Sequence, residues 1–385
     1  MSFAKHPAGH RPAAGDRLEV EIDKLAVGGQ GIARHDGFVF FVPDAAPGDR
    51  LRVEVRVLHK NHAEAEILEV LRPGEGRREP PCHYAPECGG CNWQHLEESV
   101  QHEQKQRLVL ETLKKFLPGQ EIPLLPFVPS PRSLHYRNRV QPRWSDGRLG
   151  YFKRRSHDFL PVDQCLIVEE PLNAFFRRPP PLPTGDTARI ELRLTAEGKA
   201  EASLQTSTEG AFGFSQVNRF QNEDLIRTVL DWTQGLSPAT VWDLYAGSGN
   251  FTFPLIERFP HSEVVAVELS KTLVRLAREK NKSKQAKFHL SDVQAWTRRR
   301  FPPPGSLVVL DPPRAGAGPE VLRSLAASDA DEMIYIACHP VSLARDLAAV
   351  LRPDSRWTLT RVQAFEMFPQ TDHVETIAQL SRRRG

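Results

Sequence analysis

The sequence is poor in cysteine and has no long apolar run. No stretch approaches the roughly 20 apolar residues that a membrane-spanning helix needs, and residues 1–11 lack the apolar core of a secretory signal. We therefore expect a cytoplasmic protein without a membrane segment. In that compartment disulfides are rare, so the five cysteines indicate a metal site or catalysis wherever they cluster.

A strong excess of one charge is also missing. The formal net charge of the 385-residue chain is only +3, so the total charge identifies no partner. The composition, 40% hydrophobic and 26% charged, is that of an ordinary globular protein. The length predicts two or three domains with ample core, and we expect a monomer without an obligate protein partner.

Three sequence motifs of other enzyme classes are absent. The chain contains neither Gly-x-Gly-x-x-Gly nor Gly-Lys-Ser/Thr, which argues against a nicotinamide enzyme and a P-loop nucleotidase. It also lacks Cys-x3-Cys-x2-Cys, which disfavours radical chemistry.

The pattern of apolar residues divides the chain into three predicted domains. Residues 12–73 alternate apolar and polar side chains between glycine-rich turns, which predicts a small OB-like barrel. Residues 74–212 combine short strands with a helix predicted over 96–118; whether this helix packs on the last domain stays open. In residues 213–385 short apolar strands alternate with helices, which predicts an α/β fold with a doubly wound, mainly parallel sheet.

Acidic residues stand at the ends of four successive predicted strands of this last domain: Asp243, Glu268, Asp292 and Asp311. Ligands of doubly wound sheets bind at the carboxyl ends of the strands, and a carboxylate there can accept hydrogen bonds from ribose hydroxyls. S-adenosylmethionine, with an adenine, a ribose and a zwitterionic tail, suits such a row of acceptors. A tight strand–helix turn without any ligand remains the alternative explanation for the glycines of "DLYAGSGNF".

Four motifs, in their order along the chain, resemble the uracil-5 RNA methyltransferases: "DLYAGSGNF", "DPPRAG", "YIACHP" and "FPQTDHVE". Residues 12–72 resemble a TRAM domain, a small RNA-binding barrel. The resemblance implies a Rossmann-like, S-adenosylmethionine-dependent methyltransferase domain. It also implies formation of 5-methyluridine in large-subunit (23S) ribosomal RNA, because the family's ribosomal RNA branch has a cysteine motif similar to "C-x5-CGGC".

Other functions are compatible with the residues. One is 5-methyluridine formation in transfer RNA. Another is an amino methyltransferase acting on DNA or protein, whose sites often carry Asn/Asp-Pro-Pro-aromatic, where this chain has Asp-Pro-Pro-Arg. A third is a nonenzymatic RNA-binding iron–sulfur protein.

The resemblance also implies roles for individual residues. Cys338 matches the nucleophile that adds to uracil C6, although an isolated cysteine would otherwise be a core residue, and Glu375 matches the general base. Ala337 and His339 depart from the Ser and Asn that usually flank the family's nucleophile, and we assign neither a catalytic role. The expected cofactor-binding residues are Gln216, Tyr245, Asn250, Glu268, Asp292 and Asp311.

The remaining four cysteines are candidate metal ligands: Cys82, Cys88, Cys91 and Cys165. Four thiolates can bind either zinc or a [4Fe–4S] cluster, and their spacing alone leaves both open. The family resemblance implies a [4Fe–4S] cluster that supports folding and RNA binding.

A basic and aromatic segment, residues 131–159, is a candidate RNA-binding element. It contains eight lysines or arginines and two aspartates, with Tyr136, Trp144, Tyr151 and Phe152 between them. Cations bind phosphates and aromatic rings stack on unpaired bases. A solvated sheet face with cross-strand aromatic pairs is the alternative.

Overall fold

The computed structural model describes residues 11–179, 188–195, 197–204 and 216–383. The described residues form two compact units, each considered by itself. The first contains the described residues up to Leu108, with Tyr151–Leu160 and Pro369–Asp372. The second contains Val109–Gly150, the described residues within Pro161–Phe368, and those from His373 onward.

The N-terminal strands close into a barrel with the order β1-β2-β3-β5-β4. Alternate residues of the first strand, among them Leu18, Val20 and Ile22, point into its core, as the period of two in a strand requires. The predicted barrel is thereby confirmed. Its strands are β1 (Arg17–Leu25), β2 (Gly31–His35), β3 (Phe38–Val42), β4 (Arg50–Leu58) and β5 (His62–Arg72).

A smaller sheet follows, with the order β11-β10-β7-β8-β9 and with β6 paired to β10. Tyr136 and Trp144, which were expected to stack on RNA bases, are 0% and 6% exposed. That expectation is wrong for these two rings, because they pack in the interior. The elements are α1 (Glu98–Phe116), β6 (Arg139–Val140), β7 (Arg143–Ser145), β8 (Arg148–Phe152), β9 (Phe159–Pro161), α2 (Glu170–Arg177), β10 (Ala188–Leu194) and β11 (Ala200–Leu204).

The C-terminal part is a seven-stranded sheet with the order β14-β13-β12-β15-β16-β18-β17. The first five strands of this order are parallel and β18 is antiparallel to both neighbours, which confirms the predicted doubly wound fold. The elements are α3 (Arg219–Trp232), β12 (Thr240–Leu244), α4 (Thr252–Arg258), β13 (Glu263–Glu268), α5 (Lys271–Lys280), β14 (Ala286–Leu290), α6 (Val293–Thr297), β15 (Ser306–Leu310), α7 (Pro319–Ala327), β16 (Glu332–Ala337), α8 (Pro340–Val350), β17 (Trp357–Phe365) and β18 (Glu375–Arg382).

Both faces of this sheet are covered. In β15, Val308 and Leu310 join one apolar cluster, while Leu307 and Val309 join the cluster on the opposite face. A strand buried on both sides needs apolar residues at consecutive positions. This explains why the sequence of β15 is a continuous apolar run and why polar residues appear only where the strand ends.

Helix α1, with 19 residues, is the longest helix in the described segments. No helix described here combines the length and apolarity that a bilayer crossing requires. In the second unit, Val109 and Leu113 belong to the same buried cluster as the sheet residues, and Leu117 just beyond the helix joins them. Residues four apart lie on one helix face, so this face of α1 packs on the seven-stranded sheet.

Replacing Leu113 with alanine tests this packing. Leu113 is completely buried, so we expect the free energy of unfolding to fall by about 2–5 kcal/mol from lost burial and the cavity left behind. Urea denaturation measures the change. Lys114→Ala, an exposed position beside it, is the control. Equal stability of the two variants would contradict the packing of α1 on the sheet.

Candidate active site and thiol cluster

The loop after β12 has the backbone that close approach of a ligand requires. Tyr245 has a left-handed φ of 64°, and Gly247 and Gly249 have φ of 58° and 95°. A Cβ at position 249 would lie 2.4 Å from the ring of Phe253, so only glycine fits there. A left-handed non-glycine residue stores backbone strain, which concentrates at functional sites.

Two of the predicted carboxylates bind backbone amides of this region. Glu268 accepts from Gly247 N at 3.0 Å and from Ser270 N at 2.7 Å, one bond to each carboxylate oxygen. Asp292 is exposed and caps α6 by accepting from Ala295 N at 2.8 Å. Each carboxylate oxygen has a second lone pair, so both groups retain acceptors for a cofactor.

Asn250 is held by a residue that sequence reasoning missed. Its amide and that of Asn222 on α3 exchange two hydrogen bonds, of 2.9 and 3.0 Å. Asn222 carries no motif, so only the structure reveals it. Gln216 lies partly exposed before α3; no hydrogen bond from its side chain to another described residue places it in the site.

Cys338 and Glu375 meet at the carboxyl edge of the sheet. Cys338 directly follows β16, and the pairing of Ala337 with Thr376 on β18 puts Glu375 level with it. Burial, with the carboxylates of Glu375 and Asp311, raises the pKa of Cys338 to about 11. The resting sulfur is therefore a neutral thiol at physiological pH.

The carboxyl groups around this thiol are perturbed in the same direction. Burial raises the pKa of Asp311 to about 7, with a contribution from Asp243. Burial, with Asp311, also raises the pKa of Glu375 well above its usual range. A raised pKa makes the carboxylate a stronger base, which suits a general base.

His339, the residue after the candidate nucleophile, is the N-cap of α8. Its side chain accepts from Ser342 N at 3.4 Å through Nδ1. Ring nitrogens of histidine can act as caps in the way that asparagine oxygens do. The structure thus gives His339 a structural role, and Ala337 is buried in the core.

The loop 311–318, which carries Asp311, is fixed by a buried network centred on Asp346. Asp346 Oδ2 accepts from the Tyr335 hydroxyl at 2.7 Å and from Ala317 N at 2.8 Å. Gly316 has φ of 90°, and a Cβ on it would lie 2.4 Å from Asp346 Oδ2. The loop can approach Asp346 only because position 316 is glycine.

Helix α8 holds the same loop at two more points. Arg345 donates to Ala315 O at 2.6 Å, and the Ser342 hydroxyl donates to Arg314 O at 3.0 Å. Together with the Asp346 network, these bonds satisfy the carbonyls of Arg314 and Ala315 and the amide of Ala317. The loop also contains a turn of its own, in which Gly316 N donates to Pro313 O at 2.8 Å, so α8 and this turn together set the position of loop 311–318.

Asp346→Asn tests the network. An asparagine with its NH2 at the Oδ2 position leaves the Tyr335 hydroxyl and Ala317 N without their acceptor, and one with its NH2 at the Oδ1 position loses the ion pair with Arg345. Either loss makes unfolding easier, by about 1–3 kcal/mol. Hydrogen exchange of the amides at 315–317 should become faster, and urea denaturation gives the stability. Asp354→Asn, at an exposed position, should change neither; unchanged exchange in Asp346→Asn would contradict the role of the network.

In the first unit, Cys82, Cys88 and Cys91 lie in one loop. Burial, with the nearby Cys82, raises the pKa of Cys88. Arg154 donates to Cys88 O at 3.0 Å and to Cys91 O at 2.8 Å. One of the cations expected to bind RNA phosphates therefore fixes the cysteine loop instead.

Cys165 lies in the second unit. Asn173 fixes its backbone, since the side-chain oxygen accepts from Cys165 N at 2.9 Å and the amide donates to Cys165 O at 3.1 Å. Asn173 is completely buried, which makes this a rigid support for the cysteine.

Family models match three parts of the chain: a TRAM domain over residues 13–68, a methyltransferase domain over 241–306 and tRNA (uracil-5-)-methyltransferase over 304–383. The matches follow the barrel, the first strands of the parallel sheet and the segment that contains Cys338 and Glu375.

Whole-length relatives are similar as well. An uncharacterized RNA methyltransferase of Bdellovibrio bacteriovorus is 48% identical, over 96% of this chain and 96% of its own. The 23S rRNA (uracil(1939)-C(5))-methyltransferase RlmD of Pseudomonas putida is 31% identical, over 98% of this chain and 99% of its own.

Among solved structures, the tRNA (uracil-54, C5)-methyltransferase of Pyrococcus abyssi, in complex with S-adenosyl-L-homocysteine, has a TM-score of 0.71. The two sequences are 21% identical, and the superposition covers 100% of that chain and 94% of this one. The comparison therefore supports the fold. The relatives and the matching models together show that the chain belongs to the uracil-5 RNA methyltransferase family, with a TRAM domain and an S-adenosylmethionine-dependent methyltransferase domain.

Proposed function

We propose that this enzyme methylates C5 of a uridine in 23S ribosomal RNA through a covalent bond between Cys338 and C6. The observation that carries the proposal is the position of Glu375 level with Cys338 at the carboxyl edge of the sheet. A second support is the name of the Pseudomonas putida relative, a 23S rRNA uracil methyltransferase.

The chemistry requires a nucleophile because uracil C5 reacts poorly with a sulfonium methyl group. Addition of the Cys338 sulfur to C6 turns the ring into an enolate whose C5 is electron-rich. C5 then takes the methyl group, and the electrons of the broken bond stay on the sulfur of the cofactor. Because the resting thiol is neutral, its proton must leave as the sulfur attacks.

Glu375 completes the reaction by accepting the C5 proton, after which the ring expels the Cys338 thiolate. The carboxyl group is 2% exposed, and a desolvated carboxylate is a stronger base than one in water. The raised pKa of Glu375 therefore suits proton abstraction from carbon.

The cofactor-binding role of the carboxyl edge is also a proposal. In this proposal Glu268 accepts from the ribose hydroxyls and Asp292 from the adenine amino group. Tyr245 and Asn250 stand on the glycine loop, where Asn222 orients Asn250. We assign the same function to the remaining candidates, Gln216 and Asp311.

The target uridine must expose both C5 and C6, so it has to leave its stack and enter the pocket. The TRAM barrel and the exposed cations of residues 131–159 supply the phosphate contacts. With Tyr136 and Trp144 buried, the partly exposed Tyr151 and Phe152 are the remaining stacking candidates in this segment.

Trapping with 5-fluorouridine tests the mechanism. Fluorine at C5 cannot leave as a proton, so ribosomal RNA fragments that carry it should remain bonded to Cys338, and mass spectrometry of the peptides locates the adduct. With natural uridine and labelled cofactor, methyl should enter 23S ribosomal RNA and not transfer RNA.

Two variants serve as controls for this experiment. Cys338→Ser should neither trap RNA nor methylate it, whereas an amino methyltransferase would keep its activity. Glu375→Gln should transfer the methyl group to natural uridine and then accumulate the adduct. Normal turnover by Glu375→Gln, or an adduct on another residue, would remove the assigned roles.

We further propose that Cys82, Cys88, Cys91 and Cys165 hold a [4Fe–4S] cluster. The proposal is supported by the resemblance of "C-x5-CGGC" to the iron–sulfur motif of the family's ribosomal RNA branch. Four thiolates are a ligand set that can hold such a cluster.

The cluster proposal predicts bound iron. Cys88→Ser should lower the iron and acid-labile sulfide of anaerobically purified protein and destabilise it, since ligation contributes to folding. Cys338→Ser should keep the full iron content. Wild-type protein that contained zinc in place of iron, or equal iron in both variants, would refute the assignment.

A further inference from the structure

Three carboxyl groups at the carboxyl edge of the sheet lack a cationic partner. Asp243 comes from β12, Asp311 from the residue after β15 and Glu375 from the start of β18. None of them forms an ion pair with a lysine, arginine or histidine of the described segments. Asp243 and Glu375 are 1% and 2% exposed, and Asp311 is partly buried. Buried carboxylates without compensation are costly, so these groups require either a proton or a positive charge nearby.

The strand register brings these groups to one place. Asp243 pairs with Val309, and side chains alternate along a strand, so Asp311 projects from the same face as Asp243. The amide of Asp311 donates to Leu244 O at 3.3 Å, which joins the ends of β12 and β15. Glu375 completes the set from β18.

Asp243 has one carboxylate oxygen without a hydrogen-bond partner among the described residues. It is 1% exposed, and its Oδ2 accepts from the Thr252 hydroxyl, while its Oδ1 has no hydrogen-bond partner among the described residues. An orphaned oxygen on a buried carboxylate is rare and costly. A proton on this carboxyl group would remove the charge.

The other charged groups that face the set do not neutralise it. Glu268 on β13 adds to the negative charge around Asp243, and burial, as the largest cause, raises the pKa of Asp243 to about 7. Cys338 is a neutral thiol near enough to Glu375 and Asp311 for both to raise its pKa. Arg314 is the only described cation found to lower the pKa of Cys338, and it is exposed.

We propose that Asp243, Asp311 and Glu375 share a proton in the cofactor-free enzyme and release it when S-adenosylmethionine binds, because the sulfonium replaces its positive charge. Asp243 thereby gains a role as a proton-holding residue. The inference rests on the proposed function for Glu375. Glu375 is then free to accept a proton only when S-adenosylmethionine, the methyl donor, is bound.

The charge of the pocket then stays constant during methyl transfer. The S–CH3 bond breaks with its electrons on sulfur, the new C–CH3 bond forms at C5, and the C5 proton passes to Glu375. A sulfonium and a carboxylate become a thioether and a carboxylic acid. The Cys338 proton moves to the same carboxylates on attack and returns when the thiolate is expelled.

Calorimetric titration with S-adenosylmethionine and with S-adenosylhomocysteine tests the inference, because the two ligands differ by one methyl group and one charge. The dependence of the binding enthalpy on the ionisation enthalpy of the buffer counts the protons released. Near pH 7, S-adenosylmethionine should release up to about one proton more than S-adenosylhomocysteine. At higher pH the carboxyl groups are already ionised, so the difference should vanish. Equal release near pH 7 would overturn the inference.

Variants locate the proton. Asp311→Asn removes the carboxylate that raises the pKa of Glu375, so the difference between the two ligands should shrink. Asp243→Asn should reduce it as well and serves if Asp311→Asn fails to fold. Glu332→Gln is the matched control, since Glu332 is also a partly buried carboxyl with a raised pKa but lies at the opposite, amino end of β16. A difference that survived both aspartate variants, or fell equally in Glu332→Gln, would refute the shared proton.

The result is independent of the test of the proposed function. If 5-fluorouridine traps Cys338 but both ligands release equal numbers of protons, only the shared proton is wrong. If no RNA is trapped, the covalent mechanism fails whatever the proton count.

Discussion

Desolvation of a thiol beside two carboxyl groups is the constraint on which the catalytic site depends. The doubly wound sheet ends its strands at one edge, and the reversed direction of β18 brings Glu375 to the level of Cys338 there. This arrangement suppresses the thiolate in the resting protein and strengthens the carboxylate as a base. In the proposed reaction, the sulfonium of S-adenosylmethionine supplies the positive charge that compensates the carboxylates at this edge.

The backbone around this edge is ordered by side chains before any ligand arrives. Glu268 ties the glycine loop to the strand beside it, and Asn222 fixes Asn250. His339 is the N-cap of α8, the helix that follows Cys338. Preorganised loops spare the entropy of ordering on binding, and these bonds hold the loop in which Tyr245 has a left-handed φ.

The sequence predicted those features that are encoded locally. The barrel, the parallel strands and the acidic residues after them follow from alternation, apolar runs and strand ends. The roles of Asn222 and Asp346 could not be predicted, because each depends on a partner that is distant in sequence and carries no motif. The segment 131–159 was misinterpreted in part, because charge and aromatic content do not distinguish a buried ring, such as Tyr136, from an exposed one.

The attachment of loop 311–318 to α8 has a consequence for the evolution of this chain. Arg314, Ala315 and Ala317 are bonded to Ser342, Arg345 and Asp346, whose spacing is fixed by one turn of helix. Adding or deleting one residue would shift every carbonyl out of register with its donor. Length variation is therefore excluded here, although surface connections usually accept insertions, and new substrate preferences must arise by substitution or at other loops.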